Sequence, residues 1–150
     1  MLAQRRRLIV IAAAATLVVL VVGFVAARWL TTENRERDAI FSLLQDEAAG
    51  NAPSVLGRLR ACDAACAGKV RGFLPRVTGP GTVKIARLDS GTSYSFGTTT
   101  GTSRVVWVHG VASRPIVQCV VVRRKGGPLT GRSVSLLRLS APLANNEDSC

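Results

Sequence analysis

The chain is poor in the side chains that most enzyme chemistry uses. It has one histidine, one tyrosine and one methionine in 150 residues, and aromatic types make up 5% of it. No Gly-x-Ser-x-Gly is present, so the sharp turn that exposes a nucleophilic serine is missing. The only Gly-Lys pair, Gly68-Lys69, is followed by Val70 rather than by the hydroxyl residue that a phosphate-binding loop needs. No Cys-x-x-Cys occurs, which removes the commonest redox pair. No segment repeats. Acids are scarce as well: nine Asp and Glu stand against 20 Lys and Arg, for a net charge of +11. A triad around His109, which shares a β-rich run and a face with Trp107, would need a nucleophile and a carboxylate beside it, and a lone strand histidine reads as structural. The chain therefore reads as non-enzymatic, with no cofactor and no metal. Its length leaves room for one domain, with or without an anchor.

What the chain does have is apolar length. Leu8 to Ala27 runs for 20 residues without a charge, interrupted in apolar character only by Thr16 and Gly23. As a helix it covers about 30 Å, the thickness of a bilayer's hydrocarbon. Arg5, Arg6 and Arg7 precede it, whereas Arg28, Arg35 and Arg37 on the far side are diluted by Glu33, Glu36 and Asp38. The denser basic flank marks the cytoplasmic side. The expected organisation is a cytoplasmic basic tail over 1–7, a transmembrane signal-anchor over 8–30, an extracytoplasmic domain over 31–143 and a tail over 144–150. Trp29 stands where an interfacial aromatic is expected. A cleaved signal peptide is the rival, since Val25-Ala26-Ala27 fits a small-residue cleavage site. The apolar run, however, exceeds the roughly 7–15 residues of a usual signal core. Gly23 and Ala27 form a small-xxx-small pair that plain composition explains.

Beyond the anchor, Thr31 to Ala48 reads as a helix with Ile40, Phe41, Leu44 and Ala48 on one stripe. Thr31 or Thr32 caps it, with Glu33, Glu36 and Asp38 in its first turn, or else it continues from the membrane helix without a break. Gly50-Asn51 ends it. Asn51 and Pro53 open a short helix with Val55, Leu56 and Leu59 inward. Asp63 caps a third, in which Cys66, Val70, Phe73 and Leu74 share a face and which Pro75 stops. From Thr82 the texture turns to strands: Val83 and Ile85 alternate with Lys84, and Tyr94 alternates with Phe96. Gly97 to Ser103 reads as a polar loop or hairpin. Arg104 to Val111, Ile116 to Arg124 and Arg132 to Leu139 are β-rich runs joined by short Gly/Pro connections, the pattern of an antiparallel meander. Helices first and strands after predict an α+β fold, with two or three helices packed on a curved antiparallel sheet.

This order resembles the NTF2-like, or cystatin-like, cone over Thr31 to Leu143. Behind a single anchor it is similar to small bitopic envelope proteins of bacteria, among them the anchored NTF2-like components of type IV secretion channels and the Mce-associated membrane proteins. The runs from Ile116 to Arg124 and from Leu136 to Pro142 resemble exported proteins of GC-rich bacteria. The resemblance implies a scaffold or binding module and carries no site residue over. An acid/base pair of Asp89 and Tyr94, of the kind that NTF2-like isomerases use, would rest on two residues alone.

An exported domain meets an oxidising compartment, so Cys62, Cys66, Cys119 and Cys150 predict two disulfides. In an unbroken helix, residues four apart hold their Cβ atoms about 6 Å apart, too far for a bridge. Cys62–Cys66 therefore needs a bend, for which the Asp63 cap offers the place. The tail can return Cys150 to Cys119. Crossed pairing competes with this arrangement, and four thiolates on a metal fit the spacing poorly.

Between Gly50 and Asn145 there are 14 basic residues and two acids, Asp63 and Asp89. The densest run is Arg123-Arg124-Lys125, a candidate basic surface for an anionic lipid headgroup or wall polymer. An arginine-rich genome decorating a solvated surface explains the same excess. Location and the lack of interleaved aromatics speak against nucleic acid. The expected function is a membrane-anchored interaction or assembly module of the cell envelope with a protein partner; the alternative is a binding module for an anionic envelope ligand.

Overall fold

The computed structural model describes residues 2–92, 97–110, 114–127, 131–144 and 150. Its first element, α1 (Leu2–Ala48), is one unbroken helix of 47 residues. The segment Ile9–Ala27 within it is long and apolar enough to cross a membrane, and none of it is buried in the protein. Of the two expectations for Thr31 to Ala48, the continuous helix holds: there is no cap at Thr31 or Thr32, and Glu36 sits far inside the helix. The cause is the absence of a breaker between Leu8 and Ala49, since Gly23 alone is tolerated in a helix with so many good formers. Gly50, at φ +70°, ends it. Its N–H reaches the Glu47 carbonyl at 2.9 Å, and the Asn51 N–H reaches the Asp46 carbonyl at 2.9 Å, the paired bonds of a left-handed C-terminal cap.

Two short helices follow. In α2 (Ala52–Arg58) the Asn51 side chain accepts from the Ser54 N–H, and Pro53 occupies the first turn. In α3 (Ala64–Val77) Asp63 is the cap, accepting from the Cys66 N–H at 2.8 Å. Pro75 does not stop α3, contrary to the expectation. It lies in the last turn, where its missing N–H forfeits a single helical bond, and the chain leaves the helix at Thr78, whose N–H and hydroxyl both reach the Leu74 carbonyl. Cys62 precedes the cap and Cys66 lies inside the helix, so the bend falls between them and the Cys62–Cys66 bridge forms.

The strands β1 (Val83–Asp89), β2 (Gly97–His109), β3 (Ile116–Gly127) and β4 (Gly131–Leu139) make one antiparallel open sheet in the order β1-β2-β3-β4. The stretch Gly97–Ser103 is not a loop: it is the first half of β2, paired residue for residue with Val120–Gly126. Its threonines suit a strand, and the backbone ladder to β3 overrides the turn preference of its two glycines. Gly101 is needed for a different reason, because a Cβ there would lie 2.2 Å from the Gly91 carbonyl oxygen. Bulges interrupt β1 between Ile85 and Arg87 and the β3–β4 pairing at Val121/Val122. The strand expected at Tyr94 and Phe96, and the Trp29 side chain, lie outside what is described.

One face of the sheet takes the helices. Ile40, Leu43 and Leu44 of α1, Val55 of α2 and Val70, Phe73 and Val77 of α3 pack against Val105, Trp107, Val120, Val122 and Leu136. The edge of β4 is closed by the link between α2 and α3: Leu59 bridges Leu136, and the Arg60 and Ala61 N–H groups reach the Leu136 and Leu137 carbonyls. After β4 the chain stays beside β3, with Ser140 bonded to Cys119 and Leu143 to Val117. Cys150 returns to Cys119 in the second disulfide.

The Cys119–Cys150 bridge closes 31 residues and the Cys62–Cys66 bridge four. By loop-closure entropy, replacing Cys119 and Cys150 together with serine lowers stability by about 3–4 kcal/mol, and the Cys62/Cys66 pair costs about 2 kcal/mol. Urea unfolding of the full chain, followed by tryptophan fluorescence, measures both.

Candidate functional site

The buried face of α1 carries Glu36, Ile40, Leu43, Leu44, Glu47 and Ala48. These positions recur at helical spacing, and the acids stand at its two ends, 11 residues and three turns apart. The sheet answers with strand alternation. Ser103, Val105 and Trp107 of β2 and Gln118, Val120, Val122 and Arg124 of β3 are buried, while the residues between them, Cys119 excepted, are half-buried or exposed. Polar groups thus meet at both ends of an apolar middle.

At the end of α1 nearer the apolar segment, Glu36 is 1% and Arg124 2% exposed. The Arg124 Nε donates to Glu36 Oε2 at 2.8 Å, and its Nη2 donates to the same oxygen. Ser103 donates to Glu36 Oε1 at 2.6 Å. Thr92 and Ser90 donate to Oε2 at 3.3 and 3.4 Å, and Arg124 Nη2 also reaches the Ser90 hydroxyl at 3.1 Å. Four residues from three parts of the chain thereby satisfy one buried carboxylate. Removing either charge from such a pair leaves the other unpaired in a low dielectric, which costs far more than the intact pair contributes.

At the other end, Trp107 Nε1 donates to Gln118 Oε1 at 2.7 Å, and Gln118 Nε2 donates to Glu47 Oε1 at 3.3 Å and to the Ser140 carbonyl at 3.4 Å. Glu47 is fully buried, and among the described residues no cation pairs with it and its Oε2 has no hydrogen-bond partner. Burial pushes its carboxyl up to about 8, against the smaller opposing effect of the Gln118 hydrogen bond. Glu47 is therefore a neutral carboxylic acid at pH 7.

The basic run divides. Arg123 and Lys125 are exposed, but Arg124 is not part of a basic surface: alternation on β3 turns it inward to Glu36. Across the strands, Arg123 pairs with Thr100 and Ser135, and Lys125 with Thr98 and Ser133. The four cysteines form two disulfides and offer no thiolate to a metal. His109 is half-buried, with its ring 6.0 Å from that of Trp107 and close against Gly79. Asp89 pairs with Arg87 on the surface, and Tyr94 lies outside the described residues. Glu36 and Glu47 escape a reading that looks only for apolar stripes. The signal that marks them is their phase, since both fall on the stripe of Ile40, Leu43 and Leu44.

The chain matches no protein-family model, no curated protein and no solved structure.

Two outcomes follow from the buried acids. The folded state binds the Glu47 proton more tightly than the unfolded chain, whose carboxyl titrates near 4.3. That contribution is complete below about pH 4 and is lost as the pH rises to about 8, a loss on the order of a few kcal/mol. Glu47→Gln removes this decline, measured as unfolding free energy against pH. At the other site, Arg124→Met costs about 3–5 kcal/mol. Adding Glu36→Leu to it recovers part of the loss, and a double-mutant cycle reads the coupling.

Proposed function

We propose that the chain is a single-pass, membrane-anchored module of the cell envelope, with its N-terminus cytoplasmic and its domain outside, that acts in interaction or assembly. The observation that carries this reading is the unbroken α1. One helix supplies both an apolar segment of membrane length and the buried face on which the sheet packs. A cleavage after Ala27 would leave the helix without the segment that precedes Arg28, whereas an anchor keeps the domain attached to it without a hinge.

Two disulfides support an oxidising compartment for the domain. The dense Arg5–Arg7 cluster supports a cytoplasmic N-terminus. Helices followed by an antiparallel meander support the NTF2-like reading of the domain, and the absence of a family signature leaves its partner to be named by chemistry. For a protein partner, the sheet presents its second face, which holds no helix among the described residues and carries half-buried Val106, Val108, Val117 and Val121.

In this reading the protein stays with membranes washed in high-pH carbonate. Protease added to intact cells removes the domain, and thiol reagents label none of the four cysteines before reduction. Release of the intact chain by carbonate, or a domain protected from protease, contradicts the proposal.

A further inference from the structure

The two disulfides sit in different surroundings. Cys62 and Cys66 are half-buried and pack against the core. Cys119 lies in β3 between Gln118, which turns to Glu47 of α1, and Val120, which is in the core. Strand alternation therefore sends the Cys119 side chain to the opposite face. Cys119 is 9% exposed, whereas Cys150, its partner in the bridge, is exposed. The Cys119–Cys150 bridge thus has one covered end and one open end, on the sheet face that holds no helix among the described residues.

Arg104 stands directly opposite Cys119 in the β2–β3 ladder. Opposite side chains share a face, with Cβ atoms about 4.5–5.5 Å apart. Arg104 is half-buried, and its Nε is buried with no hydrogen-bond partner among the described residues. The acid that faces it across the β1–β2 ladder, Asp89, is bonded to Arg87 at 2.9 Å instead. A buried donor without an acceptor costs free energy that a nearby anion recovers. A thiolate at Cys119 is such an anion, and the closed bridge does not supply it. At the other bridge the Asp63 carboxylate accepts from the Cys66 N–H at 2.8 Å, and its charge opposes an incoming thiolate.

We propose that Cys119–Cys150 is a thiol-exchange site for a dithiol protein, with Arg104 stabilising the thiolate that leaves. One thiolate of the dithiol attacks Sγ of Cys150, the exposed end. A new S–S bond forms there, the Cys119–Cys150 bond breaks, and Cys119 leaves as a thiolate opposite Arg104. The partner's second thiol then attacks the partner's own sulfur in the mixed disulfide and releases Cys150. Two electrons and two protons pass from the dithiol to the bridge: the dithiol ends as a disulfide and the bridge as two thiols. Access and the leaving thiol set the rate of such a step, so the long loop that stabilises the fold does not by itself slow it. Cys119 keeps its place in β3, with its N–H on the Ser140 hydroxyl at 2.9 Å, and what exchange releases is Cys150. The apolar segment of α1 takes no part in this step.

The full chain in neutral detergent is exposed to reduced glutathione, which forms the mixed disulfide and carries no second thiol. Samples are quenched with N-ethylmaleimide at intervals, and their peptides are mapped by mass spectrometry. Glutathione is expected on Cys150 and maleimide on Cys119, about tenfold faster than any change at Cys62 or Cys66. Dithiothreitol, a dithiol, leaves maleimide on both Cys119 and Cys150. Arg104→Met slows the exchange about threefold, in line with its dependence on the leaving thiol, and Arg104→Lys restores most of the rate. A merely structural arginine gives the opposite sign, because a loosened sheet admits thiols faster. Glutathione on Cys119, opening of Cys62–Cys66 first or at an equal rate, or no opening of either bridge short of denaturant overturns the exchange site. An Arg104→Met rate equal to or above that of the unaltered protein overturns the arginine's part in it.

Discussion

A single helix that is apolar on every side along one part and buried along one stripe in another is the constraint on which the rest of this structure depends. Along Ile9–Ala27 every side of α1 is apolar and none is covered by protein. From Glu36 onward only one stripe is buried, and the opposite side is wet. The change happens without a break because an α-helix satisfies its own backbone in either medium. The domain is therefore joined to the apolar segment by continuous helix rather than by a loop.

That constraint explains why polar groups are buried where they are. Apolar contacts along Ile40, Leu43 and Leu44 hold the sheet to the helix but are tolerant of sliding by a turn. Glu36 and Glu47 remove that tolerance, since each is satisfied only by particular partners: Arg124, Ser103, Thr92 and Ser90 at one end, Gln118 at the other. The Glu36 pair contributes register more than stability, because the desolvation of two ions offsets much of their attraction. The two ends are not alike. One holds an ion pair, and the other a buried acid whose contribution to stability falls as the pH rises from about 4 to about 8.

Register also decides what faces outward. Turning Arg124 inward places Arg123 and Lys125 on the opposite face, and the same alternation on β2 brings Thr98 and Thr100 beside them. A run of three basic residues thus splits into a structural group and two surface groups.

Much of this was legible in the chain of residues. The apolar helix, the order of helices before strands, the caps at Asn51 and Asp63, the end of α1 at Gly50 and the feasibility of the Cys62–Cys66 bridge all follow from signals a few residues long. Each such signal acts through neighbours, so it survives without knowledge of the fold. What only the tertiary structure decided were matters of pairing between distant residues. Glu36 and Arg124 are 88 positions apart, and Gln118 and Glu47 are 71 apart. An arginine inside a basic run on a strand looks like a solvated charge until a helix delivers an acid to it. Likewise Gly97–Ser103 has the composition of a loop, and only a partner strand with open hydrogen bonds makes it the first half of β2.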